Sequence, residues 1–226
     1  MDSVAENGFR SRLDDAVREH DLLQHPFYKA WTAGTLTQDD LAFYSTQYWR
    51  QVEAFPGYLL TLVARLPEGD GRTIVEENLS DEVGDDHAGM WLRFAGALGV
   101  DEERVQASEI EPGTKACVET FAEGMATKSS AFALGMLYGY ESQTPAVART
   151  KVEGLARHYG IEDDGARYFE LHAELDVEHS DELARAMDET IVDEASRTDA
   201  VEGARAGAAA IWGLLDGVAR ARAIAC

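Results

Sequence analysis

Tyr168-Phe169-Glu170-Leu171-His172-Ala173-Glu174-Leu175-Asp176-Val177-Glu178-His179 is the stretch that decides the fold. At 100° per residue, positions 172, 176 and 179 fall within roughly 60° of one another on a helix, so three side chains able to bind metal share one face. Steps of three and four carry the same row from Phe169 to Leu183 and Ala186, which places His172, Asp176 and His179 in a seam that points into a core. Polar groups so placed need a partner or a metal.

Two further stretches ask for the same partner. In Ala131-Phe132-Ala133-Leu134-Gly135-Met136-Leu137-Tyr138-Gly139-Tyr140-Glu141, Glu141 is the only charged residue between Lys128 and Arg149. A helix apolar all round is normally buried, and a bare carboxylate there costs several kcal/mol unless a cation or strong donors meet it. A metal or a buried arginine such as Arg149 would serve. The second stretch, Asn78-Leu79-Ser80-Asp81-Glu82-Val83-Gly84-Asp85-Asp86-His87, supplies a carboxylate and an imidazole five residues apart, roughly 140° on an ideal helix. Either Gly84 lets the helix unwind or bulge, or Asp81 or Asp86 takes the place of Glu82. Glu82 is the preferred ligand.

Together Glu82, His87, Glu141, His172, Asp176 and His179 give three carboxylates and three imidazoles, a donor set suited to two iron or manganese ions. Ferritin-like bundles use paired Glu-x-x-His motifs, whereas here the nearest equivalent is Asp176-x-x-His179 with His172 one turn earlier. His20, His25 and His158 read as structural histidines.

Outward from these stretches, apolar residues recur at three- and four-residue intervals and alternation is almost absent, so the fold class is all-α, with seven to nine helices and no sheet. Residues 1–226 read as one helical domain. Helices are expected at about 5–19, through His25–Trp31 to Gly34, and from Thr37, capped by Asp40, to about Leu66 with a kink at Pro56. One long segment at 72–98, ended by Gly99, is followed by 101–107, 114–127, 129–143, 146–159, 163–188 and an alanine-rich 195–224.

The 42 acidic against 20 basic residues leave a formal charge of −22, which argues against nucleic acid and anionic membranes as partners. Such a surface is what adaptation to high salt would produce. Cys117 and Cys226 show no metal-binding or disulfide spacing, no stretch is long and apolar enough for a membrane span, and no signal segment opens the chain, so a cytoplasmic location is expected.

At these residues the chain resembles the haem-oxygenase-like di-metal oxidases, and most closely their chlamydial, death-domain-associating branch. The likeness runs from His25-Pro26-Phe27-Tyr28-Lys29-Ala30-Trp31 through Asn78-Leu79-Ser80-Asp81-Glu82, His87 and Leu92, then Tyr140-Glu141-Ser142-Gln143-Thr144-Pro145 and Ala148-Arg149-Thr150-Lys151, to His172, Asp176 and His179. Between Glu82 and His87 the chain is two residues shorter than the family pattern. The resemblance implies about seven helices around a di-iron or mixed manganese–iron centre that activates dioxygen with an external reductant. It also implies 4-aminobenzoate, a folate precursor, as product, made in a single turnover from the protein's own tyrosine with a lysine nitrogen. Tyr28 and Lys151 match those positions, and Tyr44, Tyr140 and Tyr168 match aromatic positions that relay electrons or compete as substrates. The expected partners are small molecules, with a homodimer as the candidate assembly.

Three other functions fit parts of the sequence. A same-fold oxidase could act on a diffusible amino acid or fatty acid. A metal-free hydrolase of thiaminase type would need a cysteine nucleophile, with Cys117 as the interior candidate, and a protein-interaction module would need no metal site.

Overall fold

The computed structural model describes residues 3–224. Among these residues the chain forms eleven α-helices and no strand: α1 (Ser3–Arg18), α2 (Pro26–Ala33), α3 (Gln38–Val63), α4 (Asp70–Gly84), α5 (His87–Ala97), α6 (Glu102–Ala107), α7 (Pro112–Thr127), α8 (Ser130–Glu141), α9 (Thr144–Gly154), α10 (Arg167–Thr190) and α11 (Glu194–Ala221). The number exceeds the expected seven to nine: the sequence segments, 101–107 among them, already come to ten, and the segment at 72–98 is two helices. Cys226 lies outside the described residues.

Local chemistry sets the boundaries. Thr37 accepts from the Asp40 N–H while the Asp40 carboxylate accepts from the Thr37 N–H, a complete capping box at the start of α3. The helix runs on through Pro56, which cannot donate to the Val52 carbonyl. His25 caps α2 by accepting from the Phe27 N–H. Gly34 then ends that helix in the left-handed conformation, where a β-carbon would meet the His158 ring. α9 loosens into a wider π turn at Leu155–Tyr159 before Gly160. Among the described residues no helix is long and apolar enough to cross a membrane.

The break between α4 and α5 falls at Asp85-Asp86, two residues past the suspected Gly84. Asp86 takes φ 56 and ψ 45, a left-handed conformation that aspartate tolerates better than most residues, and its carboxylate accepts from the Gly89 N–H to cap α5. The chain therefore turns there.

α10 packs on α9 and α4, α3 on α7 and α4, and α8 lies close along α11. The small residues of the last helix explain that closeness. A β-carbon at Gly135 or Gly139 of α8 would strike the backbone of Ala200 or Ala204, and one at Gly203 or Gly207 of α11 would strike the backbone of Phe132 or Met136. Backbone thus rests on backbone, and this contact sets the position of α8, whose last residue is Glu141.

Gly139→Ala should cost about 2 kcal/mol and lower Tm by roughly 5 °C, because two helix backbones must separate. Gly96→Ala, whose added carbon meets nothing within 4 Å, is the control and should leave Tm unchanged or higher. Equal Tm values for wild type and Gly139→Ala would contradict the packing argument.

Candidate metal centre

α10 turns His172, Asp176 and His179 inward, and all three are buried. α8 ends on buried Glu141, and the turn between α4 and α5 brings Glu82 and His87 together, with Glu82 Oε2 2.9 Å from His87 Nδ1. The reversal at Asp86 removes the angular separation that a continuous helix would impose.

Glu82, His87 and His172 form the tightest cluster. Each offers one ligand atom within 4.8 Å of the others, the one group of three found among the described residues. The His87 and His172 ring centres are 4.7 Å apart, and His172 Nε2 is 3.8 Å from Glu82 Oε1. His172 Nδ1 donates to the Tyr168 carbonyl at 2.7 Å, which fixes the ring and leaves Nε2 for a cation. Burial opposes ionisation of Glu82, but His172 and His87 overcome it and hold the carboxyl at about 2. His172 is in turn pushed up, burial being outweighed by Asp176 and Glu82.

Glu141, Asp176 and His179 are arranged more loosely. His179 Nδ1 is 3.6 Å from Asp176 Oδ1, and its Nε2 is 3.2 Å from Oδ2 of Asp81, which is part-exposed. Asp81 therefore faces His179 rather than replacing Glu82, and Asp86 is engaged with the Gly89 N–H and Arg93. Burial works against the His179 charge, yet Asp176, Glu141 and Asp81 raise it to about 9. Asn78 Nδ2 donates to Glu141 Oε1 at 2.7 Å, while Arg149 donates to the Ala173 carbonyl instead of meeting Glu141. Burial first, and then the charge of Asp176, push Glu141 up to about 8.

Several buried polar atoms lack a hydrogen-bond partner among the described residues: Glu141 Oε2, Asn78 Oδ1 and both ring nitrogens of His87, where Glu82 is near Nδ1 but outside hydrogen-bonding geometry. Orphaned nitrogen and oxygen atoms converging in one interior fit a pair of iron or manganese ions. Such ions would let Glu141 ionise.

Beside His172 lies a small, largely enclosed cavity of about 20 Å³, room for roughly one water-sized molecule, whose walls include Tyr28, Tyr48, Tyr140, Lys151 and Tyr168. Tyr28 and Lys151 are both buried. The ammonium of Lys151 has no carboxylate partner. Its Nζ donates to the Tyr44 hydroxyl at 2.8 Å and otherwise faces rings, with Phe169, Tyr48 and Tyr28 centred at 4.7, 5.1 and 5.4 Å. Burial alone lowers its pKa to about 7. Tyr168 stacks on His172 at 4.1 Å, and Tyr48 and Tyr140 share a hydrogen bond at 3.3 Å.

Sequence reasoning missed Tyr48, Trp91 and Asn78. Trp91 lies 5.1 Å from Tyr48 and 5.0 Å from Tyr168, joining the two. Each stands four positions from a residue already singled out, Tyr44, His87 and Glu82, so helical spacing alone could have found them. Of the histidines read as structural, His25 is a cap that also meets Asp216 and His158 lies beside the Thr32 carbonyl, whereas buried Nδ1 of His20, edge-on to Trp212, has no hydrogen-bond partner among the described residues.

In metal-free protein the raised pKa of Glu141 sets a pH dependence. Its native carboxyl holds a proton up to about pH 8 while the unfolded one releases it near 4.5, so the native state binds more protons in that window. Stability from this group is present below the lower value and is lost as pH rises through the upper one. Glu141→Gln keeps the acceptor oxygen for Asn78 and should gain roughly 3 kcal/mol over wild type between pH 5 and 9, measured by urea unfolding. A wild-type minus variant difference that stays flat with pH would rule this out.

Known proteins of one family resemble this chain. The family described as iron-containing redox enzymes matches residues 42–212. A 4-aminobenzoate synthase of Chlamydia muridarum is 34% identical over 92% of this chain and 89% of its own, and one of Nitrosomonas europaea is 33% identical over 95% and 92%. The crystal structure of a TenA homolog from Pseudomonas syringae superposes with a TM-score of 0.83 at 15% identity, covering 95% of this chain and 92% of that one, which shows a shared fold. The chain belongs to the iron-containing redox enzymes of haem-oxygenase-like fold.

Proposed function

We propose that this protein makes 4-aminobenzoate from its own side chains, Tyr28 giving the ring and Lys151 the nitrogen. The observation that carries this reading is the cavity beside His172. It is bounded by Tyr28 and Lys151 and, at about 20 Å³, is far below the roughly 300 Å³ at which small-ligand pockets begin. A diffusible amino acid or fatty acid would not fit there, whereas dioxygen would.

Glu82, His87 and His172 would hold one metal ion and Glu141, Asp176 and His179 the other, with Asp81 beside the second. When bound, iron, or iron with manganese, supplies the reduction of dioxygen with electrons from an external reductant. Charge balance supports two divalent ions, because three buried carboxylates offset most of their four positive charges. Lys151 is suited to its role by the absence of an acid beside it, since above pH 7 its nitrogen carries a free lone pair. The Tyr44 hydroxyl accepts from that nitrogen and fixes its position. Burial raises the pKa of Tyr28, so the phenol keeps its proton until an oxidant removes a hydrogen atom or an electron with it. Tyr168, stacked on His172, and Tyr44 and Tyr140 would carry electrons between metal and cavity wall.

The thiaminase-type reading has little support, since Cys117 is buried and its thiol is pushed up by desolvation, away from a reactive thiolate. Nothing in the geometry favours an interaction module.

After reconstitution with iron and manganese, reductant and oxygen, wild type should release at most about one 4-aminobenzoate per chain with loss of the Tyr28 side-chain mass, as a reactant that is not regenerated cannot turn over again. Tyr28→Phe and Lys151→Gln should form none, and Lys29→Gln should match wild type. Undiminished product from Tyr28→Phe would overturn the self-consuming reading, and many products per chain with added substrate would favour the diffusible-substrate oxidase.

A further inference from the structure

A second hollow shares a wall residue, Val147, with the small cavity beside His172. This surface cleft, of about 360 Å³, runs between α1, α8 and the start of α9 and is lined by Val17, Leu23, Tyr138, Gln143 and Val147 among others. Val147 also lines the inner cavity, together with Leu22 and Thr144. Val147 from α9 is thus a wall common to both spaces, and in the short turn Leu22–Gln24 Leu22 lines the inner one while Leu23 lines the outer; Val147 and Leu22 are both buried. That turn is tied to α9 by one hydrogen bond, in which the Leu22 N–H donates to Gln143 Oε1 at 2.8 Å. Neither of two larger clefts, one beside Asp39, Phe43 and Arg104 and one beside Pro56, Leu60 and Leu79, shares a residue with the inner cavity.

We infer that Val147 and Leu22 form the gate through which small uncharged molecules of dioxygen size pass between the outer cleft and the cavity at His172, with the Gln143 hydrogen bond as its latch. Two side chains and one short turn are all that must move. Much of the remaining wall is made of large buried rings, Tyr28, Tyr48, Tyr140, Tyr168 and Phe169, which are harder to displace than one valine and one leucine. The inference rests on the proposed function for its biological meaning, but the gate is testable without metal or turnover.

Lys151 reports on passage, because its nitrogen faces the cavity and is largely neutral above pH 7. The probe is cyanate, whose neutral acid HNCO is small and linear. The lysine nitrogen adds to its carbon, a proton moves from that nitrogen to the HNCO nitrogen, and a urea forms with no leaving group and no redox partner. Metal-free protein would be treated at pH 8, and each of Lys29, Lys115, Lys128 and Lys151 followed by peptide mass.

Val147→Ala, Leu22→Ala and Gln143→Ala should each speed carbamylation of Lys151 by roughly tenfold, as expected when a local opening becomes easier, while the other three lysines react as in wild type. Val147→Ile should slow it. Val100→Ala, which loosens the core beneath the unconnected cleft, should leave the Lys151 rate unchanged. Equal Lys151 rates in all the gate variants, or an acceleration in Val100→Ala as large as in Val147→Ala, would overturn the gate. Because no product is measured, loss of the self-consuming chemistry would leave this result intact, and loss of the gate would leave that chemistry intact.

Discussion

Uncompensated charge is the constraint on which the rest of this structure depends. Glu82, Glu141 and Asp176 are taken out of water into one interior with His87, His172 and His179, and the protein supplies only part of what they need. Where imidazoles lie close, at Glu82, the carboxyl stays ionised. At Glu141 an asparagine is the one donor in place, and the acid is driven towards its neutral form. The interior is therefore an incomplete electrostatic assembly, of the kind that bound metal ions would complete.

The aromatic wall is the other half of the same design. The Lys151 nitrogen is surrounded by rings, and the same rings line the small cavity beside His172. Burial among them favours the neutral amine. The tight α8–α11 contact matters here too, since the glycines that allow it fix the helix that ends at Glu141 and carries Tyr140.

Much of this was legible in the sequence. The seam from Phe169 to Ala186 reads at helical spacing and is buried in the structure, and the lone acid of an apolar helix was enough to mark Glu141. The relation of Glu82 to His87 was not, because it depends on one left-handed residue, Asp86, whose conformation no periodic pattern reveals. The same break took the helix number past expectation. That Tyr28 and Lys151 share a cavity wall is a tertiary fact, carried by helices over a hundred residues apart, and only family likeness pointed to it. Tyr48 and Trp91 went unnoticed because aromatic residues at helical spacing usually fill cores, as these also do.

The central claim, that cations complete this interior, is tested most directly by anaerobic titration of metal-free protein with Fe(II), followed by a crystal structure using anomalous scattering. The account predicts two ions per chain about 4 Å apart, one bound by Glu82, His87 and His172 and one by Glu141, Asp176 and His179. Saturation at a single ion, or ions bound only by exposed carboxylates with Glu141 still protonated, would contradict it.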